Sequence, residues 1–153
     1  MTTFYFIRHG QADFSEANTK IYQGHGLNLI PLSEIGREQI EAASGDPRLR
    51  DAQLILSSPF GRTLHTAAIL SGRLGLDVRV ETDLHEWMAD NVRFAWLPQE
   101  EADRRWRELE SCHGVPPEGV TPPWETASQM RRRVFAVLDR YREYRCVIAC
   151  CHG

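Results

Sequence analysis

Lysine is almost missing from this sequence. Lys20 is the only one, and the other cations among the 18 Lys and Arg residues are arginines. The chain therefore carries few soft amines and many planar forks suited to carboxylate or phosphate. An excess of positive charge is missing too. Those 18 cations stand against 21 carboxylates, a net of −3, which excludes the electrostatic footprint of a nucleic-acid or anionic-membrane binder. No apolar run approaches the roughly 18 residues that span a bilayer. The start, Met1-Thr2-Thr3-Phe4, lacks the basic and then long apolar pattern of a signal peptide. Cysteine is sparse and poorly spaced. Cys112, Cys146, Cys150 and Cys151 contain no CxxC pair, and adjacent residues of a strand face opposite ways, so neither a disulfide framework nor a closed zinc site is expected. A fourfold site from Cys112, His113, Cys151 and His152 is the least favoured reading. The expectation is a protein of the reducing cytoplasm with no metal and no cofactor.

What is present reads as one α/β domain spanning 1–153, since 153 residues sit within the roughly 100–200 typical of one domain. Thr3 to Arg8 is a β-branched and aromatic run that stops at His9-Gly10, a strand with an abrupt end. Gln11 to Pro31 is polar with Gly24, Gly26 and Pro31, a long loop of the kind that is often functional. Ser33 offers an N-cap to a helix closed by Gly45 and Pro47. Gln53 to Leu56 is a short buried strand, followed by Ser57-Ser58-Pro59 and a helix from Phe60 to about Leu74, with Gly75 beyond it. Asp77 to Glu81 alternates as a third strand. Glu100 to Glu110 reads as a charged helix, Gly114 to Pro123 as a loop, and Glu125 to Tyr144 as the clearest helix. Cys146 to Cys151 is continuously apolar, a strand buried on both faces that again ends in His-Gly. Strands alternating with helices predict a mostly parallel sheet with helices on both faces, a three-layer sandwich.

In such sheets ligands sit beyond the carboxyl ends of the strands. Two strands end in the same dipeptide, His9-Gly10 and His152-Gly153, and a third leads into a helix with Arg62 on its first turn. If these strands are neighbours, Arg8, Arg62 and two imidazoles meet at one edge. That charge needs a counter-ion. A phosphate dianion supplies it, held by bidentate arginines and backbone N–H groups. A neutral histidine there can attack phosphorus in line, a carboxylic acid can protonate the leaving oxygen, and arginines can stabilise the charge without a metal.

Phe6-Ile7-Arg8-His9-Gly10-Gln11-Ala12 resembles the signature of the histidine phosphatase superfamily, with its phosphoglycerate mutase-like fold. Four further blocks follow in the family's order. They are Gln23-Gly24 with Pro31 to Gly36, Ser57 to Thr63 with Thr66-Ala67, Leu84-His85-Glu86, and Val147-Ile148 through Cys151-His152-Gly153. The resemblance implies His9 as the phosphorylated nucleophile, Arg8 and Arg62 as phosphate ligands, and His152 as the second imidazole donating to phosphoryl oxygens. It implies Glu86 as proton donor and Gly24 on the loop over the pocket. His25, in the Gly24-His25-Gly26 turn, is a candidate substrate contact, and the triplet Arg131-Arg132-Arg133 is expected to be a solvated helix face.

Two departures stand out. The sequence ends at His152-Gly153, where the family pattern continues with a helix and more, so it reads as C-terminally truncated. A terminal carboxylate one residue from His152 and an uncovered sheet surface predict weaker phosphate affinity and lower stability than in an extended form. The residues after Glu86 are Trp87-Met88-Ala89-Asp90-Asn91, and a variable substrate-cap insertion at about 86–124 is expected to set substrate choice. The expected activity is a metal-independent phosphomonoesterase acting through a phosphohistidine on a small phosphorylated metabolite, with inorganic phosphate as the other ligand. The alternatives are a mutase-type isomerase that returns the phosphoryl group to substrate, and a catalytically impaired phosphate-binding protein.

Overall fold

Four strands and four α-helices are found in a computed structural model that describes residues 1–17 and 19–153 apart from the side chain of His25. β1 (Thr3–Arg8), β2 (Leu54–Ser57), β3 (Val78–Val80) and β4 (Cys146–Cys151) form one sheet in the order β1-β4-β2-β3. Every pairing is parallel. The helices are α1 (Glu34–Ser44), α2 (Gly61–Leu74), α3 (Gln99–Ser111) and α4 (Ala127–Arg140). None of the described helices is long and apolar enough to cross a membrane.

The chain divides into two compact units, Met1–Glu86 with Val137–Gly153, and Trp87–Ala136. In the first unit the connections from β1 to β2 and from β2 to β3 step in one direction along the sheet, while the return to β4 steps back. Because parallel crossovers are right-handed, α1 and α2 share one face, where they pack on each other. The core contains Leu32, Ile40, Leu49, Ile55, Leu70 and Ile148. Full burial of each such side chain is worth about 1.5–3 kcal/mol. β2 and β4 are interior strands and almost wholly buried, which is why they read as unbroken apolar runs.

Local chemistry sets the element ends. Ser33 caps α1, its Oγ accepting from the Gly36 N–H at 3.0 Å, and Gly75 closes α2 in the left-handed region at φ 68°. α4 is shorter than the expected Glu125–Tyr144. Thr126 and Gln129 form a reciprocal cap, the Thr126 N–H donating to Gln129 Oε1 at 2.8 Å and the Gln129 N–H to Thr126 Oγ1 at 3.3 Å. The helix therefore starts at Ala127. The long polar segment is not all loop. Gly24–Leu29 makes a 3₁₀ turn, and Ala12 bridges Leu32 antiparallel. The arginine triplet on α4 is not uniformly solvated. Arg133 donates to Glu125 at 2.8 Å, and its side chain is only 13% exposed.

Close backbone contact aims the end of β1. A Cβ on Gly10 would lie 2.3 Å from the Gly36 carbonyl oxygen, and one on Gly36 would lie 2.1 Å from that of Gln11. Only glycine at both positions lets the chain leaving His9 run against the first turn of α1. The Ser33 N–H closes the same contact onto the Gln11 carbonyl at 2.9 Å.

Candidate active site

The register of the sheet brings the chemistry together. Arg8 pairs with Cys151 and Ser57 with Cys150, so the carboxyl ends of β1, β4 and β2 are neighbours. The backbone continues the ladder one step further, the His9 N–H donating to the Cys151 carbonyl at 3.1 Å and the Ser58 N–H to that of Cys150 at 3.0 Å. His9, His152 and Ser58 therefore stand side by side at one edge. The imidazoles of His9 and His152 meet edge to face with centroids 5.4 Å apart. Arg62 reaches in from the first turn of α2, and Glu86 follows the 3₁₀ turn Thr82–Leu84.

The hydrogen bonds define which nitrogen of His9 can react. Its Nδ1 lies 2.8 Å from the Gly10 carbonyl oxygen, and a carbonyl only accepts, so Nδ1 carries the proton. Nε2 is then the lone-pair nitrogen, and it accepts from Arg62 Nε at 3.2 Å. Burial first of all lowers the His9 pKa, and the Arg62 and His152 charges lower it further, against the raising effect of the Gly10 hydrogen bond. The ring is thus held as neutral imidazole with its nucleophilic nitrogen presented next to a guanidinium.

Arg62 lies over the Phe60 ring, 5.0 Å from its centroid, and 3.5 Å from Glu86 Oε2. Burial pulls its pKa below the ordinary value while Glu86 raises it, and a guanidinium stays charged through such shifts. His152 is tied through Nε2 to Ser58 Oγ at 2.9 Å. Its Nδ1 is 3.0 Å from Glu86 Oε2, yet it is not aligned for a hydrogen bond and has no such partner among the described residues. The His152 side chain is 5% exposed, so Nδ1 is a buried polar atom beside the Glu86 carboxylate.

Arg8 and His9 line a cavity of about 700 Å³ with Gly10, Gln11, Phe14 and Gln39. The Arg8 side chain lies against the Gly153 backbone, where a Cβ would come within 2.9 Å of its Nε. Gly24 starts its turn at φ 58° and is not among the described residues lining that cavity. The side chain of His25 lies outside the described residues. Sequence reasoning missed Ser58 as a partner of His152. The Ser-Ser-Pro motif was its only signal, and it does not say which hydroxyl faces the site.

His9, Glu86 and His152 each offer a ligand atom within 4.8 Å of the others and can in principle hold a metal ion. Beside them stand Arg62 and, on the same cavity as His9, Arg8. Two fixed cations favour an anion there over a cation. All four cysteines are free. Burial pushes the Cys150 thiol up to about 12 and raises that of Cys151, so neither offers a thiolate nucleophile near neutral pH.

The chain is similar to known proteins over nearly its whole length. Residues 4–153 match the histidine phosphatase superfamily (branch 1). The Yersinia pestis protein named "Probable phosphoglycerate mutase GpmB" is 29% identical over 142 residues, which cover 91% of this chain and 62% of that relative. The chain thus spans less than two thirds of its length. The native structure of mycobacterial glucosyl-3-phosphoglycerate phosphatase superposes with a TM-score of 0.67 at 27% identity, covering 97% of this chain and 72% of that one. Its complex with inorganic phosphate gives 0.61 at 29% identity, with the same coverage. The α-ribazole phosphatase of Shigella flexneri shares the fold, with a TM-score of 0.62 at 23% identity over 97% of this chain and 73% of that one.

Proposed function

Since the chain belongs to the histidine phosphatase superfamily (branch 1), we propose that it is a metal-independent phosphomonoesterase working through a phosphohistidine at His9. The single observation that carries this reading is the His9 imidazole. Its proton is committed to the Gly10 carbonyl, which leaves Nε2 unprotonated, its lone pair turned to Arg62 Nε. In the reaction Nε2 attacks phosphorus in line, and the bond to the leaving oxygen breaks as the N–P bond forms. Arg8 and Arg62 hold the equatorial oxygens. The buried Nδ1 of His152, which has no hydrogen-bond partner among the described residues, donates to a third, strengthening as charge develops. Glu86, 3.5 Å from Arg62, protonates the leaving alkoxide. As carboxylate it then takes a proton from the water that cleaves the N–P bond and releases inorganic phosphate.

The substrate is a small phosphorylated metabolite, and the two mycobacterial phosphatase structures support a phosphate ester over other classes. Substrate choice is assigned to the insertion at about 86–124. Apart from Glu86 at its start, that segment is distinct from the proposed phosphate-handling residues, which lie in the unit formed by Met1–Glu86 and Val137–Gly153. The reaction is placed in the cytoplasm, in keeping with four free cysteines. The named mutase among the relatives favours one second reading, in which the phosphoryl group returns from His9 to another hydroxyl of the substrate.

Hydrolysis of an aryl phosphate by wild type and His9→Ala, both with chelator, tests the proposal. A good leaving group makes the rate depend on the nucleophile and little on Glu86. Chelator-resistant release that vanishes in the variant is expected. Phosphate binding without release from wild type would overturn it in favour of a binding protein, and exchange of label between substrate positions without net release would favour the mutase.

A further inference from the structure

Ser58 has no part in the chemistry above, yet its surroundings are unusually constrained. It is fully buried. Its N–H is bound to the Cys150 carbonyl at 3.0 Å. Its own carbonyl accepts from Ser57 Oγ at 2.8 Å and Thr63 Oγ1 at 3.0 Å. The peptide is thus held on both sides, and Oγ lies 2.9 Å from Nε2 of the His152 ring.

Which of the two atoms donates can be deduced from what else surrounds the hydroxyl. The Phe60 N–H already donates to Ser58 Oγ at 3.4 Å. The Ser58 proton must find an acceptor, because a buried hydroxyl left without one costs about 1–3 kcal/mol. Among the described residues the only such acceptor is His152 Nε2. If Nε2 carried a proton instead, that proton and the hydroxyl proton would compete for one contact, and the hydroxyl would have nowhere to turn. Nε2 is therefore the lone-pair nitrogen, and the proton of a neutral His152 sits on Nδ1. Nδ1 is the buried atom without a hydrogen-bond partner among the described residues, 3.0 Å from Glu86 Oε2.

We propose that Ser58 is a positioning residue that fixes His152 as the Nδ1–H tautomer, so that the ring presents a donor and not a lone pair to the phosphoryl group. The assignment deepens the phosphatase reading and rests on it for its consequence in catalysis. The tautomer itself does not depend on any activity. In the opposite tautomer a lone pair at Nδ1 would face both the Glu86 carboxylate and an incoming phosphoryl oxygen, repelling each. The two site histidines are thus set in the same tautomer by different means. His9 is set by a carbonyl that takes its Nδ1 proton, and His152 by a hydroxyl that fills its Nε2 lone pair. The outcome is opposite, because the two rings turn different nitrogens to the site. His9 offers a lone pair and His152 offers a proton.

The test is long-range ¹⁵N–¹H correlation NMR of the imidazoles at mildly alkaline pH, with the His152 signals assigned through His152→Gln. Wild type should show a protonated Nδ1 and an unprotonated Nε2 at His152. Ser58→Ala should shift His152 toward the Nε2–H form, and Ser58→Thr, which keeps the hydroxyl, should restore the wild-type pattern. With aryl phosphate, Ser58→Ala should lower kcat by about 10- to 100-fold with KM changed less than about twofold, as when a ring is left free to take the wrong tautomer. An Nε2–H His152 in wild type overturns the proposal, even if the variants fail to fold. So does an unchanged His152 spectrum in a folded Ser58→Ala. If wild type shows the expected tautomer but releases no phosphate, the phosphatase reading fails while the assignment of Ser58 as the tautomer-setting residue stands.

Discussion

His9 shows how far a single side chain's behaviour depends on its neighbours. Its imidazole is half-buried, with the Arg62 guanidinium and a second imidazole beside it, and burial is the largest influence lowering its pKa from 6.5. Neutral histidine is the reactive form, so a lowered pKa enlarges the reactive fraction at neutral pH. An NMR titration of the His9 Cε1 proton should give a midpoint below 6.5. A midpoint at or above that value would contradict the electrostatics described here. The sign for stability follows from the same shift. Between the lowered value and 6.5 the unfolded chain binds the proton and the native one does not. The contribution of His9 is therefore present above the unfolded pKa and is lost as pH falls through this window. Arg8 and His9 were legible from their place at the end of a strand, and so was the Arg62 of the Ser-Ser-Pro block. Ser58 was not, because which of two adjacent serines points at an imidazole depends on strand register.

Among the elements, α1 is the one whose cap also serves the site. Ser33 Oγ accepts from the Gly36 N–H at 3.0 Å and donates to Gln11 Oε1 at 2.7 Å, linking the helix start to the segment that leaves His9. Ser33→Ala should destabilise the protein by about 1 kcal/mol, read as a lower denaturant midpoint with an unchanged slope. No change in midpoint would mean that the close packing of Gly10 on Gly36 is sufficient by itself. α1, α2 and all four strands were legible to within a residue or so, since each combines an apolar period with a turn residue at its end. The start of α4 was not. Glu125 fits the helical period, but the Thr126–Gln129 cap starts the helix two residues later than periodicity suggests. The 3₁₀ turn Gly24–Leu29 also escaped, because short turns in polar segments leave no hydrophobic period to count.

At the scale of the molecule, the unit Trp87–Ala136 has a different kind of interior from the sheet. It is pinned by Glu125, 4% exposed, paired with Arg133. The Glu125 carbonyl accepts from Trp87 Nε1 at 2.8 Å, and its carboxylate accepts from the Met88 N–H at 3.4 Å. Glu125→Ala takes this carboxylate from a half-buried guanidinium and should cost about 3–5 kcal/mol. Hydrogen exchange should register the loss first in residues 87–136. Equal loss of protection in β2 and β4 would show instead that the two units open together. By itself the sequence determined the parallel α/β class, the order of its elements and the residue types able to hold a phosphate, because apolar period, turn chemistry and motif spacing are local properties of the chain. Only the tertiary structure decided that β4 lies between β1 and β2, that His152 therefore sits against both His9 and Ser58, and that Arg133 is an internal partner and not a solvated charge. Strand order and side-chain partners come from packing between segments distant in the chain, and no pattern within a single segment encodes them.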